Sequence, residues 1–313
     1  MPLPHSAIVL TAGLGTRLRP LTDVRAKAAI PVAGVPMVHR IVQWLVSSGV
    51  SDLVLNLHHL PATLTRIVGD GGDLGANVRY SWEPIVLGSA GGPKQAAALL
   101  DADDFFIING DTLTDVDLGT IASAHERAHA LVTLALVPNT EPLRYGGVLV
   151  DANGDVTGFV RRGSSAVGSF HFIGVQIARK DAFASAPAGS PSASIGGVYD
   201  ALIARAPGSI HGFVCNASFF DVGTIADYIR TSHAFGRSSS TDVFYGRDAR
   251  IAPTARVSRS ILWDDVQVGA GSVVDECVVA DGVRIPAGAT YRRAAIVRGP
   301  AAPGELIVSP IAE

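Results

Sequence analysis

Between Ile251 and Val297 apolar residues stand at 251, 257, 262, 268, 274, 279, 285, 291 and 297. The steps are of five or six residues, with small, polar or glycine residues between them. A strand places side chains on one face every two residues and a helix every three to four, so neither produces this interval. A near-hexad is the signature of a left-handed β-helix, in which each short strand is one wall of a triangular coil. Two to three coils fit. Ordinary strands of a small sandwich are the competing reading, because the five-residue steps blur the period.

Upstream, to about residue 235, the texture is strand, helix, strand, helix. Ala7-Ile8-Val9-Leu10 is short and wholly apolar, as expected of a strand buried on both faces of a parallel sheet. From Pro36 to Ser48, Met37, Ile41 and Leu45 recur with Val38, Val42 and Val46 beside them. This predicts a helix with a wide buried stripe, Pro36 in its first turn and Gly49 at its stop. Strands follow at DLVLNL, VRYSW, FFIIN and ALVTLALV, separated by helical PATLTRIVG, GGPKQAAALL and DLGTIASAHERA. The alternation predicts a mostly parallel sheet with helices on both faces. YGGVLVD, VTGFV and HFIGVQIA, with little helix between them, predict an antiparallel patch over the sheet's carboxyl edge. Two late helices, VYDALIARA and TIADYIRTSHAF, flank a strand, HGFVC. The polar stretch Arg237 to Asp242 divides the 313 residues into 1–238 and 239–313.

Composition narrows the function classes. At 48% hydrophobic and 17% charged the chain can bury a sizeable core. A net charge of −3 removes the simplest electrostatic case for binding nucleic acid or a membrane surface. No run approaches the ~20 apolar residues of a membrane span. Cys215 and Cys277 form neither a disulfide framework nor a zinc spacing, so a reducing, cytoplasmic setting is expected. Among 25 basic residues only Lys27, Lys94 and Lys180 are lysine. Codon bias explains the scarcity. Lys94 and Lys180 read as ordinary surface residues.

The first strand runs into LTAGLGTRLRP, residues 10 to 20. Glycines after the first strand of an α/β sheet expose backbone N–H groups that cradle phosphates. A dinucleotide fingerprint would need glycine where Leu18 stands, and a P-loop would need G-K-[ST]. Here Gly13 and Gly15 are followed instead by Thr16, Arg17 and Arg19, and arginine can hold two phosphate oxygens at once. A structural turn with surface arginines is the alternative on glycine spacing alone.

The longer string resembles a known signature. GLGTRLRPLT followed by AKAAIPVAGVPM is similar to the G-x-G-T-R-L-x-P-L-T, P-K-P-L and P-V-x-G-x-P-M of sugar-1-phosphate nucleotidyltransferases. NLHHL, EPIVLGSAGG, FFIINGD, YGG and FFDVGTIADY match in the right order. The resemblance covers residues 7 to about 235, and the hexad tail is similar to the β-helix many members carry. Bacterial mannose-1-phosphate guanylyltransferases look nearest. The resemblance implies a Rossmann-like, mostly parallel sheet followed by a short left-handed β-helix. The implied reaction joins an NTP and a sugar 1-phosphate, releasing pyrophosphate and an NDP-sugar. GTP and mannose 1-phosphate are the expected pair. The alternatives are uridylyl or thymidylyl transfer to another hexose 1-phosphate, such as glucose or N-acetylmuramic acid 1-phosphate.

Roles follow from that resemblance, residue by residue. Gly13, Gly15 and Thr16 supply backbone donors around the phosphates, and Arg17 steadies the departing pyrophosphate. Lys27 stands where the family has the lysine of P-K-P, although Ala26 and Ala28 replace the prolines and leave the loop less rigid. Asp111 and Asp221 are the expected Mg²⁺ carboxylates; Mg²⁺ takes few protein ligands and keeps waters and substrate phosphates. Asp115 and Asp117 read as helix N-caps. Glu83, Gly88 and Ser89 line the base pocket, with backbone near Leu10 and Ala12. Tyr145, Gly146, Arg162 and Gly174 are expected sugar-phosphate contacts. Where members carry F-x-E-K-P this chain has FVRRG, and Arg161 cannot accept a hydrogen bond from a sugar hydroxyl.

His58 and His59, adjacent on a strand, point to opposite faces and read as structural. The glycine-rich stretch near residue 72 reads as a loop. A catalytically silent regulatory subunit is a competing function, countered by the presence of Arg17, Lys27, Asp111 and Asp221. An acyltransferase β-helix is a second, countered by the lack of histidine after His233. The tail is expected to mediate homo-oligomer contacts.

Overall fold

A computed structural model of the chain describes residues 3–236, 242–302 and 304–312. The expected linker, Arg237 to Asp242, lies outside these residues except for Asp242. Contacts divide the chain into two compact units. The first comprises residues 1–13, 39–61 and 65–219, and the second residues 14–38, 62–64 and 220–313.

The first unit is built on a nine-stranded sheet. Its strands are β1 (Ser6–Leu10), β2 (Asp52–Leu57), β3 (Asn77–Trp82), β4 (Asp104–Asn109), β5 (Val132–Pro138), β6 (Gly147–Val150), β7 (Val156–Val160), β8 (Phe170–Arg179) and β9 (Ile210–Val214). The order runs β7-β6-β8-β4-β1-β2-β3, with β5 pairing β8 and β9. β4, β1, β2 and β3 are parallel neighbours, as are β5 and β9. β8 runs antiparallel to β4 and β5. The antiparallel strands are therefore not a patch over the carboxyl edge. Their main-chain groups continue the hydrogen-bonded ladder of the sheet itself, which is where a buried strand satisfies them.

Both faces of the sheet are covered. In β1 the consecutive Ala7, Ile8 and Val9 are all fully buried. One face carries α3 (Gly88–Ala96) and α5 (Tyr199–Arg205), whose Ala90, Ala96, Tyr199 and Leu202 share a cluster with Ile8, Val132, Leu134 and Leu136. Thr133 lies between these residues of β5 and so faces the other way. There its hydroxyl meets His125 Nδ1 of α4 (Leu118–Ala128) at 2.8 Å. Burial lowers the His125 pKa, with Asp104 opposing that shift.

Helix ends follow local chemistry. The helix expected from Pro36 begins one residue later, as α1 (Met37–Ser47), because Val35 and Pro36 form a short strand. Asp117 caps α4 by accepting the Thr120 N–H at 2.6 Å, a bond that also holds its carboxyl below the usual range. Asp115 is not a cap; it accepts the N–H of Ser218 at 2.7 Å. Lys94 and Lys180 are not ordinary surface residues either. Lys94 donates to the carbonyls of Ala184 and Ala186, and Lys180 donates to that of Leu100 at 2.8 Å. A lysine stem packed along apolar surface brings its three donors within reach of loop carbonyls.

In the second unit, α6 (Ile225–Phe235) opens with a capping box of Thr224 and Asp227. Beyond it, Phe244, Ile261, Val278 and Ala295 are successive parallel partners, 17 residues apart. Ile251, Val268 and Ile285 form a second such row, and Val257, Val274 and Tyr291 a third. Three parallel sheets with a 17-residue coil are consistent with a left-handed β-helix. A coil of 17 explains the mixed steps, since two walls are six residues apart and one is five. The last inward position of the spacing is Ile296 rather than Val297, because Ile296 pairs with Val279. The corners repeat too: Asp248, Asp265 and Gly282 have φ of 57°, 54° and 66°. Leu306–Pro310, antiparallel to Ala294–Arg298, ends the first of these sheets.

Candidate active site

In the first unit the strand order reverses around β1, with β2 on one side and β4 on the other. Ligands of open α/β sheets bind at the carboxyl ends of strands at such a switch point. Leu10 ends β1 and pairs with Asn109, which ends β4. Gly110 then donates to the Leu10 carbonyl at 3.0 Å, and Asp111 follows it. A Cβ on Gly110 would collide with that carbonyl. Residue 110 must therefore be glycine for Asp111 to leave β4 next to the start of the glycine loop.

Beside this edge lies a buried polar network. Asn56 accepts the N–H groups of Thr11 at 2.6 Å and Ala12 at 3.3 Å, and its amide donates to Glu83 Oε1 at 2.7 Å. Glu83 Oε2 accepts the N–H of Leu87 at 2.8 Å. Glu83 is fully buried and Asn56 nearly so. Such groups are retained in a core only when their bonds are made. The network holds residues 11–12 against the segment leading to Gly88 and Ser89. Gly88 has φ +78°, and a Cβ there would stand 2.8 Å from the Ser192 carbonyl. Ser89 Oγ accepts the N–H of Ser194 at 2.9 Å and bonds its hydroxyl. His58 Nδ1 meets the Glu83 carbonyl at 2.8 Å, and because β2 ends at Leu57, His58 and His59 lie beyond the strand rather than on it.

The expected sugar contacts also belong to the first unit. Tyr145 stacks on His171 with centroids 4.1 Å apart, and Phe219 closes the cluster at 5.7 Å and 5.1 Å from the two rings. Burial pushes the His171 pKa down to about 4, against the raising effect of the Gly146 backbone, so the ring is neutral near pH 7. The exposed Gly146 stands beside the main-chain N of Arg162. Gly174 sits where β8 shifts register against β5, with φ +78°, packed on the Asn109 side chain. Bulges of this kind re-aim strands beside active sites.

The second unit carries the remaining residues. Gly15, at φ +62°, precedes the single turn Thr16–Leu18, and its carbonyl accepts the Thr22 hydroxyl at 3.0 Å. A Cβ at Gly15 would meet Thr22 Cγ2 at 2.7 Å and Lys27 Cβ at 3.2 Å, so the glycine turn packs directly on Lys27. Arg17 is exposed and Lys27 half-buried. Arg17 and Asp221 converge: a Cβ on Gly223 would lie 3.1 Å from Arg17 Nη1 and 3.2 Å from Asp221 Oδ2. The residues thus divide, with Leu10, Ala12, Gly13, Glu83, Gly88, Ser89, Asp111, Tyr145, Gly146, Arg162 and Gly174 in the first unit and Gly15, Thr16, Arg17, Lys27 and Asp221 in the second.

Sequence reasoning passed over Asn56, Gly110, His171 and Gly223. Asn56 carried a signal, being the one polar residue inside the apolar strand DLVLNL after its first position. The others act through contacts distant in sequence. Among the described residues no group of three or more His, Cys, Asp or Glu side chains could hold a metal. Asp111 belongs to the first unit and Asp221 to the second, and each offers a carboxylate, the oxygen ligand type that Mg²⁺ takes. No helix of the described residues is long and apolar enough to cross a membrane.

Comparison with known proteins shows the family of the chain. The nucleotidyl transferase family matches residues 6–237, and a GlmU-like C-terminal hexapeptide family matches residues 237–307. A mannose-1-phosphate guanylyltransferase of Mycobacterium tuberculosis is 29% identical over 92% of this chain and 83% of its own length. An N-acetylmuramate α-1-phosphate uridylyltransferase of Neisseria meningitidis is 35% identical over 59% of this chain and 79% of its own. The crystal structure of HddC from Yersinia pseudotuberculosis superposes with a TM-score of 0.64 at 23% identity, covering 74% of this chain and 99% of that one, and shares the fold. With a glycine loop running on from β1, an aspartate at the switch point and a family match over most of its length, the chain belongs to the nucleotidyl transferase family and is a nucleotidyltransferase.

Proposed function

We propose that the protein is a sugar-1-phosphate nucleotidyltransferase that transfers the guanylyl group of GTP to mannose 1-phosphate. The observation that carries the transfer chemistry is the convergence of Arg17 and Asp221 on the bare face of Gly223, in the unit that also packs Gly15 on Lys27. A cation for phosphates beside a metal-type carboxylate suits a reaction whose charge sits on phosphoryl oxygens. The choice of GTP and mannose draws on the guanylyltransferase relative, which spans more of the chain than the uridylyltransferase relative does.

In the reaction, an oxygen of the sugar phosphate forms a bond to the α-phosphorus of the NTP. The bond from that phosphorus to the oxygen bridging to the β-phosphorus breaks, and its electron pair leaves with pyrophosphate. Main-chain donors of Gly13, Gly15 and Thr16 hold the phosphates, Arg17 neutralises the leaving pyrophosphate, and Lys27 offsets charge on the α-phosphoryl oxygens. Leu10, Ala12, Glu83, Gly88 and Ser89 shape the base pocket, and Tyr145, Gly146, Arg162 and Gly174 bind the sugar phosphate. Asp111 and Asp221 would hold Mg²⁺, which supplies charge neutralisation to the phosphates when bound. Positioning and electrostatics supply most of the rate in such transfers.

A pyrophosphate-release screen of GTP, UTP, dTTP, CTP and ATP against mannose, glucose and N-acetylated sugar 1-phosphates tests the reading. GTP with mannose 1-phosphate should be the fastest pair and should require Mg²⁺. UTP with N-acetylmuramic acid 1-phosphate as the fastest would favour the uridylyl reading instead. Nucleotide binding without turnover of any pair would indicate a regulatory subunit. Asp111→Asn and Asp221→Asn should each remove most turnover and leave the fold; full activity in both would refute the metal assignment.

The proposal extends to organisation. Residues 1–238 are the catalytic part and 239–313 the hexapeptide part, and free cysteines Cys215 and Cys277 suit a reducing cytoplasm. A second copy would pair on the strand Leu306–Pro310, which exposes Ile307 and Val308 at the end of its sheet. Val308→Glu should then lower the solution mass, and an unchanged mass would argue against this contact.

A further inference from the structure

The segment Arg25–Pro31 carries Lys27, and little within it is self-supporting. Lys27–Ala29 is a single 3₁₀ turn, a weak element, and alanines stand on both sides of the lysine where the family signature has prolines. Both ends of the segment are nevertheless held by side chains of α6 and the β-helix. At its start, Arg25 donates from Nε to Asp281 Oδ2 at 2.7 Å and from Nη2 to Asp281 Oδ1 at 2.6 Å and Asp264 Oδ2 at 2.9 Å. Its guanidinium lies 5.1 Å above the Trp263 ring. At its end, the Pro31 carbonyl accepts the Tyr228 hydroxyl at 2.6 Å, and that hydroxyl accepts the Trp263 Nε1–H at 3.0 Å.

Trp263 therefore serves both ends of the segment, its face under Arg25 and its N–H in the chain to Pro31. Trp263 and Tyr228 are fully buried and the Arg25 side chain is only 14% exposed. A two-pronged guanidinium–carboxylate pair fixes direction as well as distance, which a lysine at residue 25 could not do. The acidic partners are themselves set, because the Asp264 N–H donates to Asp281 Oδ1 at 3.0 Å. Burial alone would lower the Arg25 pKa, but Asp281 and Asp264 more than reverse it, so the charge is kept.

We infer that the β-helix acts as a positioning element for Lys27, through Trp263 with Arg25, Asp281 and Tyr228, and supplies the loop rigidity that Ala26 and Ala28 lack. The inference rests on the reading of Lys27 as a phosphate-binding residue. Arg25, Trp263, Asp264 and Asp281 are positioning residues that act through the lysine. On this view the C-terminal part of the chain is needed for turnover in the full-length protein, whatever its role in assembly.

The experiment compares full-length wild type with Arg25→Lys and Trp263→Phe, measuring pyrophosphate release and amide hydrogen exchange of residues 26–30. A misplacement of about 1 Å costs up to ~100-fold in rate, so kcat should fall between about 10- and 100-fold while KM for the NTP changes far less. The amides of Ala29 and Ile30, bonded to Ala26 and Lys27, should exchange faster in both variants. Asp281→Asn, which keeps the shape and removes the charge, gives a third reading should Arg25→Lys not fold. Wild-type exchange at 26–30 in the folded variants would overturn the inference. So would a loss of kcat no larger than the loss of folded protein. Faster exchange with wild-type kcat would also overturn it, since the segment would then be loosened without effect on Lys27. A wild type that releases no pyrophosphate from any pair would instead refute the reading of Lys27, and exchange would still report whether Arg25 holds the segment.

Discussion

Trp263 donates its indole N–H to the Tyr228 hydroxyl across 3.0 Å, and neither side chain reaches solvent. Burial raises the Tyr228 pKa above the usual phenol value, so the hydroxyl keeps the proton it gives to Pro31. Tyr228→Phe would leave the Trp263 donor and the Pro31 carbonyl without this partner. A cost of about 1–3 kcal/mol is expected for a buried group left unpaired. Urea unfolding measures it, and an unchanged midpoint would show that both groups find other partners.

Glu83 uses both carboxylate oxygens, one for Asn56 and one for Leu87. Glu83→Gln keeps the shape but turns an amide donor toward one of two existing donors. Stability should fall by about 1–3 kcal/mol for the same reason as above. Because the network holds Thr11 and Ala12, KM for the NTP should rise more than kcat falls. A stability loss with unaltered KM would separate the network from the base pocket.

Gly223 has no positive φ, so alanine there costs no backbone strain. Its Cβ would nonetheless sit 3.1 Å from Arg17 and 3.2 Å from Asp221. Gly223→Ala should leave stability within about 0.5 kcal/mol. Pyrophosphate release should fall ~10-fold or more as the two functional groups are pushed apart. Wild-type turnover in this variant would mean that the pair tolerates displacement.

His171 gives a pH dependence with a defined sign. Its folded pKa is about 4, below the ~6.5 of an unfolded imidazole. As pH falls through that interval, the unfolded chain takes up a proton that the native state does not. Stability is therefore complete above the unfolded value and declines toward the folded one. His171→Phe, which preserves a ring against Tyr145 and Phe219, should lose less stability than wild type between pH 7 and pH 5. Identical urea midpoints' pH dependence in both proteins would remove His171 from the account.

Much of this architecture is local in origin. The wholly apolar Ala7-Ile8-Val9-Leu10 and the alternation that follows it point to a sheet buried on both faces, and the near-hexad favours a coil with three short walls over the strands of a small sandwich. Asp117 could be read as a cap because its partner, Thr120, is three residues away. Asp115 could not be read, because its partner is Ser218. The same distinction runs through the candidate site. Gly13, Gly15, Arg17 and Lys27 are legible as a string, whereas Gly223 gains its meaning from Arg17, and Asn56 from Glu83.

Periodicity and short-range hydrogen bonding thus pointed to the elements, the coil and the glycine loop, since they depend on residues within one turn or one strand of each other. The placement of β8 inside the sheet, the pinning of Lys94 and Lys180 to carbonyls and the clasp of Arg25 by Asp281 arise only when the chain closes on itself. Arg25 and Asp281 are 256 residues apart, and no local pattern selects one aspartate among the many that could meet a buried arginine. Packing does, by bringing the carboxylates of Asp281 and Asp264 to distances and angles that satisfy the guanidinium away from water.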